Sequence, residues 1–481
     1  MMPVRALALG ALLVAAPTAR AQTYDVVLRG GRVMDPESAL DAVLDVGIRA
    51  GRIQALSGQP LEGSEVVDVS GLVVVPGFID LHAHGQDPFS RDLQVRDGVT
   101  TALELESGVW PVGAWYAERA GNWRINYGAT TSYGAARRAA LEGTDRSAVY
   151  DAATPQQTER MQEVVRAGIE QGALGVGLGL QYMPGASREE IFRLFRTAAA
   201  QYVTVFVHVR YAGLLEPESA ISAVQEMIAD VAGSGGSVHI VHIGSSGLEQ
   251  VPVLLDMIGT ARAQGLDVTT EVYPYTAAST GIGAAIFDEG WQERLGADYG
   301  DIEWVATGER LDSASFHAYR RQGGTIIAHI IPQDAMEHAV AHPGVMIASD
   351  GVGFVNGRAH PRGAGTFARV LGRYVREQGT LSLMDAIEKM TLMPAMRLER
   401  VAPEMRRKGR IQLGADADLT VFDAATVIDR ATFAEPAQPS QGIPHVLVNG
   451  LFVVRDGELV EGVMPGRPIR APVREPAREQ E

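Results

Sequence analysis

The residues with the clearest chemistry are two histidines, His82 and His84, at the end of the apolar run "VVVPGFIDLHAH". Residues i and i+2 of a β-strand point to the same side, so both imidazoles can reach one metal ion. Four more candidates follow other apolar runs: Glu106, His208, His242 and Asp350. Imidazole and carboxylate groups suit zinc, so we predict a zinc site built from these residues.

The polar residues at the ends of these apolar runs are expected to have different roles. A carboxylate in a metal site can bind the ion and can also take a proton from a water molecule that the ion activates, and Asp350 fits both roles. A lone buried histidine is more often a hydrogen-bonded core residue, and we interpret His239 and His329 in that way.

A repeated alternation of strand and helix patterns positions these residues. The run "GALGVGLGL" precedes "SREEIFRLFRTAAAQ", and the strand patterns that follow are "VTVFVHVR", "SVHIVHIG", "DVTTEVYPY", "TIIAHII" and "GVMIASDG". This alternation is typical of a parallel sheet, and the number of units indicates a (β/α)8 barrel of the α/β class. The carboxyl ends of barrel strands converge on one face, where active sites lie.

The two ends of the chain carry short alternating β patterns instead. We predict that residues 22–75 and 405–465 form one small β-sandwich beside a barrel at 76–404. Residues 276–324 lack clean periodicity, and we expect them to cover the barrel mouth. The proline-rich, charged tail at 466–481 is predicted to be disordered.

The first 21 residues have the features of an export signal. Arg5 precedes the short apolar run "ALALGALLVAA", and "Ala19-Arg20-Ala21" fits a small-x-small cleavage site before Gln22. The apolar run is shorter than the ~20 residues that a membrane span needs. We predict an exported protein without a membrane span, with the periplasm as the expected compartment.

Composition excludes several classes of function. The 481 residues carry a formal net charge of -16, which disfavours nucleic acid and anionic membrane surfaces as partners. There is no cysteine, which excludes disulfides, thiolate zinc ligands and cysteine nucleophiles. The oligomeric state cannot be inferred from the sequence.

Several motifs resemble those of a known family. The motifs "PGFIDLHAH", "VHVR", "IVHIG", "ASDG" and "GADADLTVFD" resemble the amidohydrolase superfamily. The motifs "QGALGVGLGLQYMPGASREEI", "VYPYTAAST", "HPRGAGTFARVLGRYVRE" and "GIPHVLVNG" resemble the N-acyl-D-amino-acid deacylases, or D-aminoacylases, within it. The resemblance covers the chain from about Tyr24 to Gly462. It implies a (β/α)8 barrel, a small β-sandwich and zinc-assisted hydrolysis of an amide.

The resemblance also implies a division of the metal ligands. His82, His84 and Asp350 would hold one metal position. His208 and His242 would hold the other, which is the tightly filled position in that family. One or two zinc ions per chain are therefore expected.

Two further residues acquire roles from the resemblance. Arg362, in "HPR", and Tyr275, in "YPY", would bind the substrate carboxylate and the region of the scissile carbonyl. The planar guanidinium of an arginine independently suits a carboxylate, because it can donate two parallel hydrogen bonds. The expected partner is a small amide that carries a carboxylate.

The chain departs from the family at two places. The family has a cysteine ligand after the second barrel strand, where this chain has Ser107, a poor zinc ligand. We predict that the neighbouring Glu106 replaces it and bridges two ions, with Glu104 as the alternative ligand one step deeper. The family often has a lysine where this chain has Gly244, so one substrate contact is expected to be missing.

Four functions remain open at this stage. The favoured one is deacylation of an N-acyl-(D-)amino acid, with Asp350 as general base and then general acid. A cyclic-amide hydrolase of the hydantoinase or dihydroorotase type needs a lysine on a barrel strand, and the two lysines of the chain, Lys389 and Lys408, lie elsewhere. Hydrolysis of a neutral amide, lactam or ester would follow if Arg362 had only a structural role. A catalytically inactive binding protein is least favoured, because the ligand set is intact.

Overall fold

The computed structural model describes residues 23–142 and 145–473. Within these ranges, its central unit is an eight-stranded parallel sheet that closes almost completely, because Ala83, after the first strand, and Gly351, after the last, form a parallel bridge. In chain order the strands are Phe78–Asp80, Val99–Val109, Asn126–Ser132, Gly175–Gly179, Thr204–His208, Ser237–Ile240, Asp267–Val272 and Val345–Ile347. The predicted fold class, an α/β barrel of the (β/α)8 type, is confirmed.

The strand Thr204–His208 illustrates why the barrel strands form. All five of its residues are buried, and it is rich in β-branched and aromatic side chains. Parallel strands that are covered on both faces have such near-continuous apolar sequences. Val205 pairs with Val176 on one side and with Val238 on the other, so the strand lies inside the sheet and its final residue reaches the carboxyl-end face.

Helices surround the barrel and connect its strands. Local capping starts several of them: the Ser187 hydroxyl accepts a hydrogen bond from the Glu190 N–H, and Thr154 and Gln157 form a capping box. The α-helices are Pro88–Arg96, Val112–Arg119, Tyr133–Leu141, Asp145–Tyr150, Pro155–Glu170, Arg188–Ala200, Ala220–Ser234, Ile243–Gly247, Val251–Ala263, Trp291–Leu295, Ser313–Gln322, Gln333–Ala341, Arg362–Arg369, Leu383–Met390 and Leu392–Leu398. A π-helix spans Val370–Glu377, and short 3-10 turns span Leu180–Tyr182, Leu248–Gln250, Ala285–Phe287, Tyr299–Asp301 and Pro403–Arg407.

Both ends of the chain contribute to a second sheet, as the sequence predicts. The strand Val73–Pro76 joins them, because it pairs with Tyr24–Asp35 on one side and with Leu419–Phe422 on the other. Among the described residues this sheet has nine strands: Tyr24–Asp35, Leu40–Arg49, Arg52–Ser57, Gly63–Asp68, Val73–Pro76, Leu419–Phe422, His445–Val448, Leu451–Arg455 and Glu458–Leu459. Val46, Val74 and Leu447 belong to its own apolar core.

The segment over the barrel mouth contains a small sheet of its own. Its strands in the described chain are Ala278–Gly281, Ile302–Trp304, Glu309–Arg310 and Thr325–Ala328. The run "TIIAHII", which the sequence places among the barrel strands, therefore belongs to this sheet, and Asn126–Ser132 supplies a barrel strand that the pattern does not reveal. Short β-branched runs indicate a strand but do not specify its neighbours, and "NYGATTS" is too polar to stand out.

The beginning of the C-terminal tail differs from the predicted disorder. Residues 466–473 lie along the barrel, where the N–H groups of Gly466, Ile469 and Ala471 donate to backbone carbonyls at 2.7–3.1 Å. Ile469 is buried, so its apolar burial and these hydrogen bonds outweigh the proline-rich composition. Residues 474–481 and the predicted signal peptide at 1–21 lie outside the described residues. Among the described helices, none is both long and apolar enough to cross a membrane.

Candidate active site

The six predicted metal ligands meet at the carboxyl ends of the barrel strands. His82 and His84 follow the first strand, Glu106 lies in the second and His208 ends the fifth. His242 and Asp350 follow the sixth and eighth strands with left-handed backbone angles, φ 33° and φ 50°. Such angles are uncommon outside glycine and cluster at functional sites, where the surrounding structure holds the strained residue in place.

His82, His84, Asp350 and Glu106 form the first donor group. The two histidine Nε2 atoms lie 3.0 Å apart. Asp350 Oδ1 lies 3.4 Å from His82 Nε2 and 3.6 Å from His84 Nε2, and Glu106 Oε2 lies 3.3 Å and 3.0 Å from the same two atoms. A tetrahedron with zinc bonds of 2.0–2.1 Å has edges of about 3.3 Å, and these five distances are close to that value, so the donors would suit one zinc ion.

Glu106, His208 and His242 form the second donor group. His208 Nδ1 lies 3.0 Å from His242 Nε2 and 3.2 Å from Glu106 Oε1. Glu106 therefore directs one carboxylate oxygen toward each group. The predicted role of Glu106, rather than Glu104, as a bridge between two ions requires a position of this kind.

Two buried carboxylates hold the histidines of the first group. Glu271 Oε1 lies 2.7 Å from His82 Nδ1, and Glu104 Oε2 lies 2.8 Å from His84 Nδ1. Because each Nδ1 can donate its proton to a carboxylate, each Nε2 is left to offer its lone pair to a metal ion. Two lone pairs that face each other at 3.0 Å repel unless a cation lies between them, so this arrangement fits a metal ion.

Neutral groups hold the histidines of the second group. The Gln181 side-chain oxygen lies 2.7 Å from His208 Nε2, and the Ser245 hydroxyl lies 3.0 Å from His242 Nδ1. The His208 Nδ1 lone pair therefore points at the site. The sequence does not predict the four hydrogen bonds that hold these histidines from behind, and it does not predict that Glu271 and Gln181 take part in them. The pattern that could have indicated Glu271 and Gln181 is a polar residue at the end of an apolar strand, in "VTTEV" and in "GLGLQ".

Burial and neighbouring charges shift the pKa values of the site residues. Burial by itself would raise the pKa of Glu106, but hydrogen bonds from His208, His82 and His84 outweigh it and hold the pKa well below the usual value. Burial lowers the pKa of His242 well below 6.5, and the charge of His208 acts in the same direction. Glu106 is thus an anion and His242 a neutral imidazole, which are the protonation states that metal ligands need.

Five of the six donor residues, all but the buried His82, line a cavity of about 410 Å³. Arg362 lines this cavity and is only 1% exposed. Its Nη2 lies 3.0 Å from Asp350 Oδ1, and its guanidinium lies 4.4 Å from the centre of the Tyr273 ring. Its Nε and Nη1 have no hydrogen-bond partner among the described residues. These two buried nitrogen atoms of the guanidinium are therefore available to donate hydrogen bonds to an anionic ligand.

Tyr275, the other predicted substrate-binding residue, is not among the residues that line the cavity. Its ring packs against the Arg369 guanidinium at 4.4 Å and against His360 at 5.3 Å. Its N–H donates to the Tyr273 carbonyl at 3.0 Å in a tight turn around Pro274, which directs the side chain away. Tyr273 lines the cavity instead, and its hydroxyl has no hydrogen-bond partner among the described residues.

The two positions at which the chain departs from the resembled family also lie close to the site. Ser107 lines the cavity but belongs to neither donor group, and its N–H donates to Glu104 Oε1 at 3.3 Å. Gly244 lies in the short helix Ile243–Gly247, where an added Cβ would approach Val272 at 3.3 Å. No cation is therefore provided at that position.

Part of the cavity lining is apolar. Residues of the mouth-covering segment supply it: Ile286, Phe287, Leu295, Ile326 and Ile330. Ala212 and Val352 extend it on the barrel side. The lining of the cavity therefore combines the charged donor groups and Arg362 with apolar side chains, and the mouth-covering segment adds the hydroxyls of Ser279, Thr280 and Thr325.

Comparison with known proteins places the chain among metal-dependent hydrolases. A family profile described as the amidohydrolase family matches residues 65–454. An N-acyl-D-glutamate deacylase of Alcaligenes xylosoxydans xylosoxydans is 32% identical over 90% of this chain and 94% of its own length. A D-aminoacylase of the same organism is 30% identical over 89% of this chain and 94% of its own length.

Solved structures give the same picture. An N-acyl-D-glutamate deacylase from Bordetella bronchiseptica, complexed with zinc and a phosphonate inhibitor, is 29% identical, and it matches 94% of this chain and 100% of its own with a TM-score of 0.81. A D-hydantoinase from a Bacillus species is 19% identical with a TM-score of 0.61, which shows a shared fold alone.

Proposed function

The chain belongs to the amidohydrolase family, and on that premise we propose that it removes the acyl group from N-acyl-D-amino acids with uncharged side chains. One observation carries the proposal: a carboxylate-bridged pair of donor groups and a guanidinium with two free donors share one cavity. The donor groups suit a hydrolytic metal centre, and the guanidinium suits the carboxylate of an amino acid.

The predicted zinc dependence is confirmed, because a relative of the same family contains zinc and both donor groups are present here. Zinc bound there supplies a Lewis acid that polarises the scissile carbonyl and lowers the pKa of a water molecule. His82, His84, Glu106 and Asp350 would hold one ion, and Glu106, His208 and His242 would hold a second. Glu106 as an anion and His242 as a neutral imidazole need no proton to be removed before they bind. Burial alone would lower the pKa of His82 and His84, but the carboxylates around them raise it above 6.5, so binding of zinc would release protons from these two residues.

Asp350 and Tyr273 perform the proton transfer and the charge stabilisation. Asp350 lines the cavity, where it can accept a proton from the attacking water and then deliver it to the leaving amine. The free Tyr273 hydroxyl lies in the cavity wall and can donate to the carbonyl oxygen, on which negative charge develops. Arg362 stacks on the Tyr273 ring and so links the substrate carboxylate to the reacting group.

The cavity favours a single carboxylate. Among the described residues that line it, Arg362 is the one lysine or arginine side chain, and the substrate's α-carboxylate would occupy it. A second carboxylate, as in an acidic amino acid, would find no second lysine or arginine among the described residues of the lining, and burial of a carboxylate without a cationic partner is costly. Relatives named N-acyl-D-glutamate deacylase and N-acyl-D-aspartate deacylase carry acidic substrates in their names, so this chain would differ from them in specificity.

The alternative of a cyclic-amide hydrolase is not favoured. In this chain neither lysine reaches the site: Lys389 Nζ donates to the carbonyl of Val345 at 2.9 Å and to that of His342, and Lys408 pairs with Asp418 at 2.6 Å. No lysine therefore bridges the two donor groups. Glu106 occupies that bridging place.

Amine release from a panel of substrates tests the proposal. We expect the zinc-loaded protein to cleave N-acetyl-D-leucine and to leave N-acetyl-L-leucine and a hydantoin unchanged. Since a buried unpaired carboxylate costs at least about 2 kcal/mol, kcat/KM for N-acetyl-D-glutamate should be at least about thirtyfold lower. Cleavage of the L-isomer alone, or ring opening alone, would refute the deacylase proposal. Preference for N-acetyl-D-glutamate would refute only the uncharged side chain.

Export to the periplasm is part of the same proposal. It rests on the apolar run and the Ala19-Arg20-Ala21 site at the beginning of the chain. N-terminal sequencing of the protein from a periplasmic fraction should begin at Gln22. Recovery of the protein from the cytoplasm with Met1 intact would contradict it.

A further inference from the structure

The two donor groups offer different numbers of protein donors to an ion. In the first group, the Nε2 atoms of His82 and His84 lie 3.0–3.6 Å from each other and from oxygens of Glu106 and Asp350. Glu106 Oε2, at 3.3 Å and 3.0 Å from the two Nε2 atoms, would add a fourth donor to the group of His82, His84 and Asp350. With Glu106 counted in both groups, the second group would offer three donors, Glu106, His208 and His242, and so would leave one position open, as catalytic zinc sites do.

The contacts behind the histidines differ in charge. Carboxylates hold both histidines of the first group, and one of them, Glu271, is itself fixed by His239 at 3.0 Å. An amide and a hydroxyl, from Gln181 and Ser245, hold those of the second. A carboxylate behind a metal-bound histidine raises its basicity and fixes its orientation, and loss of such a contact costs ten- to a hundredfold in metal affinity.

The positive charge of Arg362 disfavours a metal ion at the first group. Arg362 lies 3.0 Å from Asp350 Oδ1 and offsets part of the negative charge of the first group. The first group still has two carboxylates among its donors and two more behind its histidines. The second has only the shared carboxylate of Glu106. The number of donors and their charge therefore both favour zinc binding at the first group.

We infer that in this chain the His82–His84 position binds zinc more tightly than the His208–His242 position. The resembled family is expected to have the reverse order, with a cysteine among the ligands. Here Glu106 replaces that cysteine and gives one oxygen to each position, so the remaining donors decide the order. The inference rests on the proposed zinc-dependent function and concerns how the same site is loaded.

Zinc content at graded free zinc tests the order directly. The purified full-length protein is stripped with a chelator, equilibrated in zinc buffers and measured by elemental analysis, without any assay of activity. We expect two binding steps at least about tenfold apart in affinity. His242→Asn should retain the tight step and lose the weak one, whereas His84→Asn should retain only weak binding. The opposite assignment, loss of both steps in either variant, or equal affinities would overturn the inference.

Two nearly isosteric variants decide the matter if a histidine variant fails to fold. Glu271→Gln should weaken the tight step ten- to a hundredfold and leave the weak step unchanged. Gln181→Glu should tighten the weak step and leave the tight one unchanged. Exchange of these effects would overturn the inference. A wild-type protein that binds no zinc would refute the proposed function itself, whereas zinc bound in the opposite order would refute only the inference.

Discussion

The Arg362 guanidinium lies 3.0 Å from the Asp350 carboxylate, and it stacks on the Tyr273 ring at 4.4 Å. The proposed substrate-binding cation and the proposed proton acceptor are therefore direct neighbours. A substrate carboxylate that binds the free Nε and Nη1 of Arg362 would draw the guanidinium charge toward itself. Binding of the correct substrate would then leave Asp350 a stronger base.

Arg362→Met should lower kcat/KM on N-acetyl-D-leucine by roughly thirtyfold to several thousandfold, because removal of one member of a buried charge pair costs about 2–5 kcal/mol. The loss should be far smaller on N-acetyl-D-leucinamide, which has no carboxylate. Steady-state kinetics on both substrates measure the difference. Equal losses would mean that Arg362 supports the structure only, and the substrate would then be a neutral amide, lactam or ester.

Glu106→Gln should remove zinc and at least about a hundredfold of the activity, because the bridging carboxylate gives one oxygen to each donor group. Glu104→Gln is the matched control, since it removes a carboxylate that contacts only His84 within the donor groups. We expect it to weaken zinc binding about tenfold and to retain most of the activity at saturating zinc. If Glu104→Gln lost more zinc than Glu106→Gln, Glu104 would be the ligand.

Tyr273→Phe should lower kcat by roughly a hundredfold, because removal of one hydrogen bond to a developing oxyanion has that cost. Tyr275→Phe should change kcat by less than about threefold, since its hydroxyl has no partner among the described residues and its ring lies behind the cavity. Side-by-side kinetics of the two variants check this. A larger effect at Tyr275 would restore the role that the sequence assigns to it.

His360 should make the protein less stable in mild acid. Its Nε2–H donates to the Ala277 carbonyl at 3.0 Å, and its Nδ1 accepts from the Arg362 N–H at 3.1 Å, so the ring must be neutral. Burial and the charge of Arg362 hold its pKa well below 6.5, and the nearby His329 and Arg369 act in the same direction. Below pH 6.5 the His360 side chain therefore takes up a proton when the protein unfolds. Its contribution to the free energy of unfolding is complete above pH 6.5 and is lost as the pH falls toward the folded-state pKa.

Denaturant unfolding from pH 7 to pH 5 measures the effect. Glutamine can make both hydrogen bonds without titrating, so His360→Gln is the control. The free energy of unfolding of the wild type, relative to His360→Gln, should fall by up to about 2 kcal/mol between pH 6.5 and 5. A difference that stays constant over this range would show that His360 has the same charge in both states.

The sequence by itself determines the parts that depend on local geometry. Alternation of strand and helix patterns indicates the barrel, because buried parallel strands need continuous apolar runs. The His-x-His spacing places His82 and His84 on one side of the chain, because side chains of a strand alternate. Polar residues at the ends of such runs, among them His208 and Asp350, must lie on one face, because parallel strands share their carboxyl ends.

Only the tertiary structure decides which of these residues meet, and which neighbours tune them. Glu271 and His82 are 189 residues apart and touch because their strands lie across one barrel. Tyr273 rather than Tyr275 faces the cavity because a turn at Pro274 reverses the side chain, and strand period cannot show this. The choice between Glu106 and Glu104 likewise depends on where the histidines of three strands converge. Local sequence sets the direction of a side chain, whereas its partners come from segments distant in the chain, and long-range packing alone brings those segments together.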